Sequence, residues 1–279
     1  MTTHSETSPL TATGERLMTD NRTQTVPEHL HRYAIACELA RGLDVLDVAC
    51  GEGYGTMLLS KHAASAVGVD IARAAVDHAT KKYTSGNLRF LHGSATAIPL
   101  ATASVDVVVS FETIEHLREH DEMITEIRRV LRPGGTLIIS SPDKRYYTDT
   151  TGYNNPFHLR ELYCEEFRSL LGRYFKHIRL LLQRIVYGSV IVPESPSPGF
   201  TEYRGDFDGI ESHAGLQEAV YNIAIASDEP LPDMTTSLWN ATALHEQQIH
   251  DYQTQLAAVR KSGTKAFRRL RDAFRGVFR

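Results

Sequence analysis

The chain has 279 residues, of which 42% are hydrophobic and 23% charged, with a net charge of −4. This composition is ordinary for one α/β domain with appendages, and the charge does not favour nucleic acid as a partner. The three cysteines, Cys37, Cys50 and Cys164, lack metal-finger spacing, which predicts a reducing, cytoplasmic compartment. The N-terminal segment lacks the apolar core of a signal peptide, and no apolar run reaches the roughly 18 residues of a transmembrane helix.

The chain begins with a Thr- and Ser-rich stretch, residues 1–26, that predicts a flexible arm. A helix is predicted from Pro27, with Gly42 at its end. An apolar strand from Val45 breaks into a Gly-rich turn, and a helix follows to about Ser60. Further strands are predicted at 66–70, 88–92, 105–111, 136–140, 178–182 and 221–226, and further helices at 71–83, 123–131 and 161–171.

Strands alternate with helices at short spacing along this region. That order predicts an α/β fold with a doubly wound, mostly parallel, Rossmann-like sheet covered by helices on both faces. Ligands of such sheets bind beyond the carboxyl ends of the strands. We therefore expect one domain over 27–228, interrupted by a Gly/Pro-rich insertion at about 186–218, and a helical tail over 229–279.

The Gly-rich turn after the first strand predicts a nucleotide-type site. Gly51 and Gly53 allow a close approach to the main chain, and the helix that follows points free N–H groups at the turn. Asp70, at the end of the second strand, lies where an acid reaches a ribose. A dinucleotide is one possible ligand, but Asp47 and Glu52 would repel a pyrophosphate. The acids favour a cationic adenosyl ligand.

Five segments in this order, 46–53, Asp70, 93–95, 107–111 and 131–135, resemble the motifs of class I S-adenosylmethionine-dependent methyltransferases of the type 11 group. The resemblance implies a seven-stranded sheet with an antiparallel last strand, and S-adenosylmethionine as the methyl donor. One departure is Ser94, where the family usually has Asp. By this resemblance, the cofactor contacts are Asp47, Ala49, Gly51, Gly53, Asp70, Ile71, Ser94, Ala95 and Phe111.

The stretch after the fourth strand carries the candidate catalytic groups. If a helix starts near Glu112, then Glu112, Glu115 and His116 share one helical face, and His158 reaches the same cleft. These four groups suit a divalent cation such as Mg²⁺, which would activate a hydroxyl. The pattern also resembles metal-dependent class I enzymes. Alternatively, no metal binds, and Glu115, His116 and His158 serve as the catalytic groups, with a histidine as general base.

The acceptor is suggested by a weaker resemblance. Residues 140–163 resemble methyltransferases associated with bacterial cell-surface polysaccharide synthesis, which implies a sugar or glycan hydroxyl as acceptor. Two alternatives stay open. One is a small-molecule methyltransferase acting on a quinone or secondary metabolite, and the other is a non-catalytic binding subunit of a glycan-synthesis assembly.

The C-terminus is strongly basic. Residues 255–279 hold eight basic side chains and one acid, a net +7, so the rest of the chain carries −11. Over 264–279 the apolar residues form one stripe of a basic amphipathic helix, suited to an anionic membrane surface or a protein partner. We expect a cytoplasmic protein with this tail at the inner face of the membrane.

Overall fold

The computed structural model describes residues 26–186, 188–194, 201–206, 209–240 and 253–255. The predicted N-terminal arm and the predicted basic helix at 264–279 lie outside these ranges. The chain divides into two compact units, Met1–Trp239 and Asn240–Arg279, and the second is described at Asn240 and over the helical residues 253–255. Within the described ranges, no helix has both the length and the apolar content that a bilayer crossing needs.

The first unit contains the α-helices and β-strands of the fold. The helices are α1 (Val26–Leu39), α2 (Tyr54–Ser60), α3 (Arg73–Lys82), α4 (His120–Val130) and α5 (Cys164–Gly172). The strands are β1 (Asp44–Val48), β2 (Ser65–Asp70), β3 (Leu88–His92), β4 (Val105–Ser110), β5 (Leu131–Pro142), β6 (His177–Val186), β7 (Gly188–Pro193), β8 (Thr201–Asp206), β9 (Gly209–Ala214), β10 (Tyr221–Ser227) and β11 (Ser237–Asn240).

The main sheet has the strand order β11-β7-β6-β10-β5-β4-β1-β2-β3. Strands β1 to β5 pair in parallel, whereas β10 runs antiparallel to both β5 and β6. The predicted mostly parallel α/β sheet with an antiparallel last strand is therefore confirmed. Nine strands replace the seven expected because β7 and β11 extend the sheet beyond β6. The segment at 186–218 contains β7 and the separate β8–β9 hairpin.

Strand β4 shows how the sheet is buried on both faces. Val107 and Val109 pack in a core cluster with Tyr33 and Ala36 of α1, whereas Val108 packs in another cluster with residues of α4 and α5. Neighbouring residues of a strand point to opposite faces, so an uninterrupted apolar run belongs to a strand covered on both sides. Each such fully buried side chain contributes about 1.5–3 kcal/mol to folding.

The parallel strands bring their carboxyl ends to one edge of the sheet. The loops that follow β1, β2, β3, β4 and β5 therefore meet there, and α1 lies next to them through its contacts with α2, β6 and β7. The predicted cofactor and catalytic residues all lie in or near these loops. This edge is the place where a ligand site can form.

Candidate functional site

The turn after β1 has the backbone form that its glycines allow. Gly51 and Gly53 have φ values of 56° and 94°, and Ala49 is also in the left-handed region at 60°. A Cβ on Gly53 would lie 2.7 Å from the Cβ of Ala79. A Cβ on Gly55 would lie 2.0 Å from the Tyr33 ring. Glycine is therefore required both for the turn and for the close packing of α1 and α3 around it.

Asp47 lies buried beneath this turn. Its carboxylate accepts hydrogen bonds from the Thr56 hydroxyl at 2.7 Å and from the Tyr33 hydroxyl at 3.2 Å. Burial raises the pKa of Asp47 to about 7, against the opposing effect of these two donors. In the structure Asp47 thus ties α1 and α2 to the end of β1.

The interpretation of Glu52 as a charge facing the ligand is wrong. Its side chain is fully buried on the α3 side of the turn, where Lys82 Nζ lies 2.6 Å from one oxygen and the Tyr83 hydroxyl 2.7 Å from the other. The ammonium group neutralises the carboxylate locally. Glu52 therefore does not favour a cationic ligand over a phosphate. The direction of its side chain depends on contacts with α3 and Tyr83, which the sequence alone does not reveal.

Asp70 links the turns after β1 and β2. One carboxylate oxygen accepts the N–H of Gly51 at 2.8 Å, and the other accepts the N–H of Ala72 at 2.8 Å. The next residue, Ile71, is 71% exposed despite its apolar side chain. An acid fixed by two amides beside an open apolar surface is an arrangement that accommodates a ribose and a flat ring.

The remaining predicted cofactor contacts differ in exposure. The Ser94 hydroxyl accepts the N–H of Thr96 at 3.1 Å and contacts its hydroxyl at 2.9 Å, so it closes its own turn. Ala95 is partly buried against the core. Phe111 is buried, and its ring meets that of Tyr33 edge-on at 5.1 Å. Phe111 therefore packs against α1 through Tyr33.

The predicted helix starting near Glu112 is wrong. Glu112 has a φ of 50°, a short 3-10 helix spans Ile114–His116, and α4 begins at His120. Glu112 therefore does not share a helical face with Glu115 and His116. Its carboxylate instead accepts the Ser140 hydroxyl at 2.6 Å and pairs with Arg32 at 3.0 Å. The left-handed residue ends the strand and redirects the chain before a helix can form.

Three of the four predicted metal ligands do come together. Ligand atoms of Glu115, His116 and His158 all lie within 4.8 Å of one another, and the two imidazoles meet edge-on at 5.0 Å. The loop that carries His158 is held here because the N–H groups of Leu159 and Arg160 donate to the carbonyl of Glu115 at 2.8 and 3.1 Å. The contact spans more than 40 residues of sequence, which local spacing does not predict.

The polar contacts of this cluster fix the orientation of both imidazole rings. His116 Nδ1 lies 3.1 Å from the Phe157 carbonyl, and His158 Nδ1 lies 2.5 Å from Glu161 Oε1. We assign the protons to both Nδ1 atoms because their neighbours are acceptors. The Nε2 atom of each ring is then an acceptor, although that of His158 also faces the Asn155 amide at 3.0 Å.

Glu115 is the most unusual acid of the cluster. It is 1% exposed, and its Oε2 has no hydrogen-bond partner within the described part of the chain. Burial, and secondly the nearby Glu112, raise the pKa of Glu115 well above its ordinary range. A buried carboxylate oxygen without a donor is unfavourable unless a proton or a cation is supplied.

Several residues of this region were not identified from the sequence. Arg32 of α1 is fully buried and lies over the Tyr221 ring at 4.3 Å. Tyr147, in a short π-helical turn after β5, stacks on His158 at 5.2 Å and contacts Tyr153 edge-on. Arg32 stands four residues after Glu28 in α1, a spacing that places the two on one helical face and could have marked them as a pair.

Comparisons with known proteins agree with this geometry. Residues 46–139 match a methyltransferase domain family. A probable S-adenosylmethionine-dependent methyltransferase of Mycolicibacterium smegmatis is 38% identical over 169 residues, which cover 59% of this chain and 64% of the relative. The phthiotriol/phenolphthiotriol dimycocerosates methyltransferase 1 of Mycobacterium ulcerans is 36% identical over 110 residues, covering 39% of this chain and 40% of that protein.

A solved structure shares the fold. The S-adenosylmethionine-dependent methyltransferase of Thermotoga maritima has a TM-score of 0.52 and 18% identity, with 72% of this chain and 89% of that chain covered. The matched segments span less than two thirds of the length of the mycobacterial relatives. The match to a methyltransferase domain covers residues 46–139, the part of the chain that holds the predicted cofactor motifs, and the relatives that match 58–59% of the chain are named as probable S-adenosylmethionine-dependent methyltransferases.

Proposed function

We propose that the chain is an S-adenosylmethionine-dependent methyltransferase that O-methylates a hydroxyl of a sugar or glycan. The observation that carries the proposal is the juxtaposition of two sites at one sheet edge. The Gly-rich turn with Asp70 suits an adenosyl donor, and the acids, imidazoles and aromatic rings that follow β4 and β5 suit a hydroxyl acceptor.

The donor site is proposed to bind S-adenosylmethionine through the turn after β1. Asp70 would accept the ribose hydroxyls while Gly51 and Ala72 hold its carboxylate in place. Ile71 and the Ser94–Ala95 loop would cover the adenine, with backbone groups replacing the contact that the family's Asp makes at position 94. No phosphate contacts are needed, since this donor carries none.

The acceptor site is proposed to hold a sugar ring against aromatic side chains. Tyr147 stacks on His158, and the rings of Tyr153 and Tyr221 lie 5.9 and 6.4 Å from that of Tyr147. Sugars present C–H groups that pack on aromatic faces and hydroxyls that bond to carboxylates and imidazoles. The combination of both groups in one place supports a polyhydroxylated acceptor.

The chemistry asks little of the protein beyond alignment and proton removal. The methyl group leaves the donor sulfur as the acceptor oxygen bonds to it, and the hydroxyl proton must go to a base. His158 is the proposed base: its Nδ1 is bonded to Glu161, and its Nε2 would exchange the Asn155 amide, now at 3.0 Å, for the acceptor hydroxyl. The Phe157 carbonyl accepts a hydrogen bond from His116 Nδ1 and so assigns this ring the same tautomer. Glu115 Oε1 lies 3.9 Å from His116 Nε2.

A divalent cation is a proposed addition to this site. The unpartnered Oε2 of Glu115 and the imidazoles of His116 and His158 suit a cation, which would displace the Asn155 amide from His158 Nε2, and each imidazole has an oxygen acceptor at its Nδ1. One carboxylate and two imidazoles suit Mn²⁺ or Zn²⁺ better than Mg²⁺. When bound, the ion would lower the pKa of a coordinated hydroxyl. Glu112 is not part of this set.

Removal of metal tests the addition. The protein is dialysed against a chelator and assayed for methyl transfer before and after Mn²⁺ or Mg²⁺ is restored. We expect at least a tenfold loss of turnover that the added ion reverses. Full turnover of the chelated protein would leave the histidines to act as hydrogen-bonding groups and general base alone.

A lipid hydroxyl is the second candidate acceptor. The M. ulcerans relative is named for its action on phthiotriol and phenolphthiotriol dimycocerosates, and the predicted basic tail at 264–279 would bring the protein to a membrane surface. A quinone or secondary metabolite, or a non-catalytic role in a glycan-synthesis assembly, are the remaining alternatives.

An acceptor screen separates these functions. Methyl transfer from labelled S-adenosylmethionine is measured on nucleotide sugars, lipid-linked sugars, short glycans, long-chain diols and catechols. Labelling of sugars or glycans supports the proposal. Labelling of diols or catechols alone would show that the acceptor is a lipid or a small molecule instead. Absence of labelling together with absence of donor binding would favour the non-catalytic subunit.

A further inference from the structure

Glu112 combines features that the proposed metal cluster does not use. It stands directly after β4, at the sheet edge where the acceptor is expected, and is a non-glycine residue with a φ of 50°. Such backbone strain is retained where a side chain must be aimed in one direction. The Glu112 side chain is 18% exposed, whereas that of its partner Arg32 is 0% exposed. The Glu112 side chain is therefore partly open to solvent, whereas its partner is not.

The two oxygens of Glu112 have different surroundings. Oε1 accepts the Ser140 hydroxyl at 2.6 Å and lies 3.0 Å from Arg32 Nη1. The Ser140 oxygen in turn accepts the Glu112 N–H at 3.2 Å, which closes a small ring of hydrogen bonds. The contacts of the described residues leave Oε2 without a partner. One oxygen thus fixes the group, and the other remains available to a ligand.

Arg32 is held through its Nε and through one face of its guanidinium, whereas its Nη1 and Nη2 have no hydrogen-bond partner among the described residues. Its Nε donates to Gln183 Oε1 at 2.7 Å, and its guanidinium lies over the Tyr221 ring at 4.3 Å. The Tyr221 hydroxyl donates to Glu28 Oε1 at 3.1 Å, which connects the far side of the same network. A buried guanidinium needs compensation of its charge, and the nearest carboxylate oxygen is that of Glu112.

The local charge balance disfavours an anionic acceptor group. Three acids, Glu28, Glu112 and Glu115, surround one buried cation, Arg32. Burial raises the pKa of Glu28 to about 7 and that of Glu115 well above its ordinary range. The charge of Arg32 is already engaged by Glu112, and its side chain is 0% exposed, so Arg32 offers no free positive charge to an added carboxylate or phosphate.

We propose that Oε2 of Glu112 accepts a hydrogen bond from the acceptor's hydroxyl and that Arg32 and Ser140 position it for this contact. The inference rests on the proposed O-methyltransferase function and narrows its substrate class to uncharged hydroxyl donors. Glu112 is then a substrate contact and Arg32 a positioning residue, and neither is a metal ligand.

The test uses the full chain saturated with S-adenosylhomocysteine. Binding of methyl α-D-glucopyranoside and of D-glucuronate is measured by NMR titration for the wild type, Glu112→Gln and the control Glu165→Gln, which makes the same charge change at an exposed residue of α5. We expect the wild type to bind the neutral glycoside and exclude glucuronate. Glu112→Gln should weaken glycoside binding about tenfold to 100-fold and admit glucuronate.

A double-mutant cycle tests the role of Arg32. Arg32→Met should weaken glycoside binding as Glu112→Gln does, and the double variant should lose no more than either alone, because Arg32 acts through Glu112. Arg32→Lys should restore part of the binding. Melting temperatures identify variants that fail to fold, and in that case the double variant, in which Arg32 and its paired acid are removed together, carries the comparison.

The outcomes separate the inference from the function beneath it. Equal glycoside binding by the wild type and Glu112→Gln overturns the inference while leaving the methyltransferase in place. Reduced Mn²⁺ affinity of Glu112→Gln, measured calorimetrically with the metal alone, also overturns it, since Glu112 would then be a ligand. Binding of S-adenosylhomocysteine without binding of either sugar removes the sugar acceptor and the inference with it. Failure to bind S-adenosylhomocysteine overturns the proposed function itself.

Discussion

The turn after β1 and the loop after β4 stand at the same sheet edge but are built in opposite ways. Around the first turn, Asp47, Glu52 and Asp70 all have their oxygens engaged by protein donors. Around the second, Glu115 has an oxygen without a donor, and Glu112 has a strained backbone. In the first region the acids are hydrogen-bonded within the protein, so a ligand would contact mainly the backbone. In the second region a carboxylate oxygen has no donor and could bond to a ligand.

The largest expected effect is on kcat, the rate of methyl transfer. His158→Ala removes the proposed base and leaves the turn after β1 untouched, so kcat should fall about 100- to 10,000-fold with little change in S-adenosylhomocysteine affinity. Steady-state kinetics and calorimetry measure the two quantities. A parallel loss of donor binding would mean that the two regions are not separable.

The next effect belongs to the first region. Asp70→Asn weakens the acceptors for the Gly51 and Ala72 amides and for the proposed ribose contact. We expect the affinity for S-adenosylhomocysteine to fall about 100-fold, since charge-assisted hydrogen bonds are involved. Calorimetry measures the change, with Glu165→Gln as the control of equal charge. A loss smaller than threefold would contradict the assignment of Asp70.

The buried acid beneath the turn predicts a pH dependence of stability. Asp47 has a folded pKa of about 7, above the ordinary value of an unfolded Asp, so the folded state binds the proton more tightly. Stability contributed by the protonated form is present at about pH 4 and lost as the pH rises to about 7. Denaturant unfolding should show a loss on the order of 1–4 kcal/mol over this range.

Asp47→Asn provides the control for that pH dependence. It keeps an oxygen acceptor for Thr56 and removes the ionisation, so the slope between pH 4 and pH 7 should flatten. Glu28, also with a pKa of about 7, will leave a residual slope. An unchanged slope in Asp47→Asn would assign the dependence to other groups.

The smallest expected effect concerns Glu52. Lys82→Met removes a half-buried partner of that acid on the side of α3, while Tyr83 still donates to it. We expect a stability loss of about 1 kcal/mol and an S-adenosylhomocysteine affinity within twofold of the wild type. A large change in S-adenosylhomocysteine affinity would show that Glu52 does influence ligand binding.

The two regions also differ in how far the sequence predicted them. Strand periodicity and the Gly-rich turn predicted β1, α2 and the position of Asp70, because these features depend on residues close together in the chain. The structure contradicts the helix expected from Glu112, since the left-handed backbone at that residue leaves no periodic signal. Turn geometry of this kind is decided by tertiary contacts such as that with Ser140.

The proposed acceptor site could be predicted only in part, because it too depends on contacts between distant parts of the chain. Glu115, His116 and His158 were grouped correctly, because the motif order placed them at one edge of the sheet. Arg32, Tyr147 and Tyr221 join them from α1, the loop after β5 and β10, over separations of up to 189 residues. The pairing of Arg32 with Glu112 depends on how these elements pack together. Residues close together in the sequence do not predict it.

The central claim is that the turn after β1, with Asp70, is a site for the adenosyl part of S-adenosylmethionine. Calorimetric titration of the wild-type chain with S-adenosylhomocysteine, and separately with NAD⁺, tests it most directly. The account predicts saturable one-to-one binding of S-adenosylhomocysteine and no binding of the dinucleotide. Binding of NAD⁺ in preference, or no heat with S-adenosylhomocysteine, would contradict it.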